Sequence, residues 1–185
     1  TCSSKVRFMS IYPIRNPAPP SRYAMAGLLA LGIALLPTTG VSAPLSLDPE
    51  MACSALAGAG LGTRGGYRGQ PGETHRCDSR RKPIVAGNAA QHEIRFSALG
   101  SGQSVDELRL ELTIRSRGDL QRAHRRLAEY AEQLAQNTLQ ANLPAPVKEA
   151  ILSAVNGEWT EGGRTFAVRR TTVANGLYAL RLTIR

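Results

Sequence analysis

Metal-ligand spacings, nucleotide-binding signatures and aromatic residues are scarce in this chain, and each shortage removes a class of function. Three cysteines and three histidines occur in 185 residues, with no Cys-x-x-Cys pair. Cys53, His75 and Cys77 are the nearest approach to a ligand set, too few for a zinc site of recognisable spacing. We therefore expect neither a metal nor any other cofactor. The glycine-rich stretch Gly58–Gly72 lacks the Lys-Ser/Thr and the preceding strand of a phosphate loop. Aromatic residues make up 5% of the chain, and no aromatic stack accompanies its arginines, so nucleic acid is not an expected partner. The acid pairs Asp106-Glu107 and Glu158 with Glu161 fall at turns or strand edges. Nothing beside them sets one carboxyl apart for general acid–base work. No transmembrane segment, internal repeat or low-complexity tract follows residue 44.

What is present begins with Ala24–Leu36, thirteen residues without a charge, preceded by Arg15 and Arg22 and followed by Pro37 and small residues. A basic segment, a short apolar core and small residues make a secretory leader. At 1.5 Å per residue it covers about 20 Å, short of the roughly 30 Å hydrocarbon layer. Val41-Ser42-Ala43 is the best cleavage pattern, although Pro44 is a poor residue to follow it. An uncleaved leader would leave transient or weak membrane association. Met9 is the plausible initiator. We expect residues 1–43 to be an N-terminal extension and signal peptide, and 44–185 a single α+β domain, periplasmic or secreted. The leader holds four of the 23 basic residues and no acid, leaving 19 basic against 14 acidic residues, net +5.

Cys53 and Cys77 remain in that domain, and an even count in an oxidising compartment reads as a disulfide. The staple would pin a glycine-rich loop at 61–83 to the first helix and stabilise by about 3 kcal/mol on the chain-entropy model. Asp48-Pro49-Glu50 starts that helix, with an N-cap acceptor, proline in the first turn and an acid at the positive dipole end. Met51, Ala52, Ala55, Leu56 and Ala59 form its apolar side. His92, Ile94, Phe96 and Ala98 alternate with Glu93, Arg95 and Ser97. Leu108, Leu110, Leu112 and Ile114 do the same against Arg109, Glu111, Thr113 and Arg115, which predicts a hairpin with one buried face.

Ser116 with Asp119 is a candidate cap for a helix of about 22 residues, whose stripe is Leu120, Ala123, Leu127, Tyr130, Ala131, Leu134 and Thr138. Pro144-Ala145-Pro146 starts a short helix packing Val147, Ala150, Ile151, Ala154 and Val155, which Asn156-Gly157 would close. Thr165–Val173, an Asn175-Gly176 turn, and inward Tyr178, Leu180, Leu182 and Ile184 predict a second hairpin. The expected fold is a four-stranded antiparallel sheet in ββααββ order, with helices on one face and an N-terminal helix before it.

Cys53 near a helix N-terminus with His92 downstream is also the layout of thiol-dependent hydrolases of cell-wall peptides, with the histidine as base. Met51-Ala52-Cys53-Ser54 lacks the surrounding aspartate and glycine, and Cys77 offers Cys53 a better partner. Arginines supply the remaining signal. Arg117, Arg122, Arg125 and Arg126, with His124, decorate the start of the long helix, and Arg80, Arg81 and Lys82 close the glycine-rich loop. Arg109, Arg115, Arg181 and Arg185 form a third, outward group on the strands. Guanidinium groups on one face grip carboxylate or phosphate bidentately. The expectation is a non-enzymatic exported protein that binds a protein partner or an anionic envelope glycan through these residues.

Overall fold

The computed structural model describes residues 45–70, 73–84, 92–173 and 175–185, all within the unit Thr39–Arg185. The expected leader, residues 1–43, lies outside the described residues.

Helix α1 (Pro49–Ser54) starts as its sequence dictates: the Asp48 carboxylate accepts from the Met51 N–H at 2.9 Å. Its buried residues are Ala52 and Cys53, with Leu56 in the following turns, while Met51 is exposed rather than packed. Three strands then occupy the segment expected to be a loop: β1 (Thr63–Arg68), β2 (His75–Ser79) and the two-residue β3 (Lys82–Pro83). The predicted hairpin follows as β4 (Glu93–Gly100) and β5 (Val105–Thr113).

Helix α2 (Leu120–Leu139) is 20 residues long and starts later than expected. Ser116 does not cap it; Asp119 holds the position at φ 54 and makes no side-chain cap bond. The stripe Ala123, Leu127, Ala131, Leu134 and Thr138 is buried, and His124, Ala128 and Ala135 are buried with it. Helix α3 (Ala145–Ser153) buries Val147, Ala150 and Ile151, but Val155 is exposed. Ala154, at φ 52, ends α3 instead of Asn156-Gly157. Gly157 opens a further strand, β6 (Gly157–Glu161), which turns through Gly162 and Gly163 into β7 (Arg164–Thr172). β8 (Tyr178–Ile184) follows after Asn175 and Gly176, both at positive φ as an Asn-Gly turn requires.

The expected four-stranded sheet is thus corrected to an eight-stranded antiparallel one, ordered β1-β2-β4-β5-β8-β7-β6, with β3 pairing a second stretch of β4. The two predicted hairpins form its centre, joined through β5 and β8. Register explains that junction. Phe96, Leu110, Leu182 and Val168 fall in one cross-strand row, and Ala98, Leu108, Ile184 and Phe166 in the next. All eight are buried. Pairing β5 with β8 extends the apolar rows across four strands, each large side chain contributing about 1.5–3 kcal/mol on burial.

The added strands have readable local causes. Between β2 and β3 the ladder is interrupted, and the Phe96 N–H donates instead to the Ser79 hydroxyl at 2.9 Å. Gly157 and Trp159 share a face, and the indole lies across Gly157 so closely that a Cβ there would sit 2.1 Å from the ring. One core cluster takes residues from all three helices and the inward sheet rows.

Candidate functional site

Cys53 and Cys77 are bonded, with Cα atoms 6.0 Å apart, so the staple joins α1 to β2. Cys53 therefore holds no free thiol in this form. Both ring nitrogens of His92 are engaged by backbone: Nε2 with the Gly118 carbonyl at 2.8 Å, and Nδ1 as acceptor of the Arg115 N–H at 3.3 Å. The side chain is 1% exposed. The disulfide is the expected one, and neither half of the alternative Cys53–His92 arrangement is presented for nucleophilic chemistry. Among the described residues no cluster of three or more His, Cys, Asp or Glu could hold a metal, and no helix is long and apolar enough to cross a membrane.

His124 does not belong to a basic surface. It is 5% exposed, its Nδ1 meets the Leu152 carbonyl at 3.1 Å, and its Nε2 meets the Tyr178 hydroxyl at 2.7 Å. Burial holds its imidazole below the ordinary 6.5, with repulsion from His92 and Arg170 adding to the effect. On the far side of Tyr178, the Arg170 guanidinium stacks 4.0 Å from the ring centroid.

The outward arginines of the sheet are matched by acids on the same face. Cross-strand register sets Arg95, Glu111, Arg181 and Arg169 in one row. Arg181 meets Glu111 at 2.5 Å, Arg169 meets Glu158 at 2.9 Å, and Arg95 and Arg76 converge on Asp78 at 2.9 and 2.6 Å. Arg109 and Arg185 share Glu107, while Arg115 at 2.7 Å and Arg81 at 3.5 Å share Glu93. Burial alone would raise Asp78 and Glu107, but hydrogen bonds and charge from their arginines, and for Asp78 the Ser97 hydroxyl, hold both carboxyls below the usual range. Glu93 is lowered chiefly by its bond from Arg115. Eight arginines are thus held by five acids: each of these guanidinium groups has a carboxylate partner, although the face keeps a net positive charge.

The second expected cluster comes apart. Arg80 is exposed, Arg81 turns to Glu93, and the Lys82 ammonium donates to the Ala59 carbonyl at 2.6 Å while lying 5.5 Å from the centroid of Tyr130. Lys82 thereby meets the first cluster: a hollow of about 320 Å³ is lined by Lys82, Tyr130, Arg126 and Glu129. Arg126 is already paired with Glu129 at 2.7 Å.

Arg117, Arg122 and Arg125 are exposed, and no described acid pairs with them; Arg64, Arg68 and Arg80 are exposed in the same way but lie in or beside the strands. The first turn of α2 contains no acid, and Asp119 at its N-cap position makes no ion pair with these cations, which sit near the positive end of a 20-residue helix. Arg125 also rims a groove of about 460 Å³ between α2 and α3, with Lys148, Glu132 and Leu152. The sequence groups these three with Arg126 and the strand arginines and does not separate them, because pairing in space leaves no local mark. Nor does it single out Arg170 or the gathering acids Asp78, Glu93 and Glu107. No family model, curated protein or solved structure matches this chain.

Proposed function

We propose that this chain is an exported, periplasmic or secreted, non-enzymatic protein that binds a protein partner or an anionic envelope component. Its binding face is the start of α2, with Arg117, Arg122 and Arg125. One observation carries the reading: these three arginines stand close together in the chain at one helix start, exposed and without an acid partner, whereas eight arginines of the sheet face are held by Asp78, Glu93, Glu107, Glu111 and Glu158. Unpaired guanidinium groups beside a positive helix end are costly to keep together, and an anionic partner relieves that cost. The Cys53–Cys77 bond supports export, since such bonds persist in oxidising compartments.

Capture of envelope components by immobilised protein tests the proposal. Binding should weaken steeply as salt rises, because the Debye length falls from about 10 Å at 0.1 M to about 3 Å at 1 M. Replacing Arg117, Arg122 and Arg125 by glutamine should abolish capture. Arg169→Gln, at an arginine already paired with Glu158, should leave it intact. Retention of the same partner by the triple variant, with unchanged salt response, would remove the arginine face from the function.

A further inference from the structure

Two of the three histidines are buried, and they hold opposite sides of the segment that presents the arginine face. A carbonyl only accepts, so the Gly118 bond at 2.8 Å requires a proton on His92 Nε2. A backbone N–H only donates, so the Arg115 bond at 3.3 Å requires His92 Nδ1 to be bare. These two partners specify one neutral tautomer and both belong to the connection Arg115–Asp119 between β5 and α2. His124 is constrained at one nitrogen only. Its Nδ1 carries a proton toward the Leu152 carbonyl, while its Nε2 meets the Tyr178 hydroxyl, which can donate or accept. That ring ties the second turn of α2 to the end of α3 and to β8.

We propose that His92 forms an acid-sensitive latch on the Arg115–Asp119 connection, closed while its ring is neutral and loosened when it takes up a second proton. The inference rests on the reading of Arg117, Arg122 and Arg125 as a binding face only in what it would regulate; the latch itself stands on geometry. A second proton on His92 lands on Nδ1 and confronts the Arg115 N–H, donor against donor, so that bond must break. A second proton on His124 breaks neither of its bonds, because the Tyr178 hydroxyl can accept as well as donate, so that ring goes on anchoring α2. The charged groups nearby offer His92 no relief: on β4, Glu93 is already shared by Arg115 and Arg81, and from β7, Arg170 lies over Tyr178. No described carboxylate bonds either ring. Asp119, at φ 54 between the two histidines, holds a left-handed conformation uncommon for residues other than glycine, so the released connection has strain to shed.

Hydrogen–deuterium exchange of the full chain, without partner, at stepped pH from 7.5 to 5 and corrected for intrinsic rates, tests the latch. Protection of residues 115–119 should fall by up to about tenfold per pH unit for the one coupled proton, while the centres of β5 and β8 stay protected. His92→Gln should flatten the step in 115–119, and His75→Gln, removing the third histidine, should preserve it. An equal step in His92→Gln, or no step in the native chain while its imidazoles titrate, overturns the proposal. If His92→Gln fails to fold, imidazole nitrogen shifts of the native protein decide: a proton on His92 Nδ1 at neutral pH would sink it. Partner capture is not read in this experiment, so the binding proposal and the latch can fail separately.

Discussion

At the scale of single residues, periodicity and environment make separate demands, and side chains of similar appearance in the sequence carry different weights. Leu110 and Leu127 are fully buried, one in a four-strand row and one on the inward stripe of α2. Truncating either to alanine should cost about 2–5 kcal/mol, since the lost transfer energy is joined by a cavity that rigid neighbours do not fill. Arg122 is exposed and unpaired, so Arg122→Ala should change stability by no more than about 0.5 kcal/mol. Chemical denaturation of the three variants checks this contrast. Equal, small changes would mean that the buried faces are misassigned. His124 shows where residue type misleads. A histidine among four arginines reads as one more surface cation, yet it is a buried core group with both ring nitrogens partnered.

At the scale of elements, local signals and long-range pairing divide the work. The α1 start was legible because a cap is local: aspartate, proline and acid lie within three residues and act on the first turn. The central hairpins were legible because alternation of period two directly states which face is buried. β1 and β2 were not. Gly65 and Gly66 adopt positive φ within β1, and β2 offers one alternation in five residues, so composition points to a loop. What makes them strands is the free edge of β4 together with the disulfide, which holds β2 against it. Replacing both cysteines by alanine should lower stability by about 3 kcal/mol. It should also raise amide exchange in β1 and β2 well before β5 and β8. Exchange measured on the reduced or substituted protein tests this; uniform loosening of all strands would show that the staple serves the whole sheet instead.

At the scale of the whole molecule, charge is distributed so that five acids on one sheet face gather eight arginines around them. Asp78, Glu93 and Glu107 have carboxyls held below their ordinary values by neighbouring arginines. The unfolded chain, lacking those neighbours, takes up protons first as pH falls. Stability from these carboxylates is therefore complete above their unfolded values and is lost as pH drops through the lowered folded ones. Thermal midpoints should fall on acidification below about pH 4.5, the ordinary glutamate value, and Glu107→Gln should blunt that fall. These pairs are partly exposed, so 1 M salt should also shrink the acid effect. An acid response unchanged in Glu107→Gln would place its origin elsewhere.

The sequence by itself determined the capped first helix, the Cys53–Cys77 pairing, the faces of the two hairpins and the stripe of the long helix. Each depends on residues near one another in the chain or on a count of two. Only the tertiary structure decided that eight strands share one sheet, that β8 joins β5, and that most strand arginines are already spoken for by acids on neighbouring strands. Those outcomes depend on registers between segments as much as 70 or more residues apart, such as Arg181 on Glu111 and Arg185 on Glu107. A strand edge pairs with whatever the fold brings beside it. An arginine's electrostatic role is likewise set by the acid it meets in space, and neither is written in its own neighbourhood of the chain.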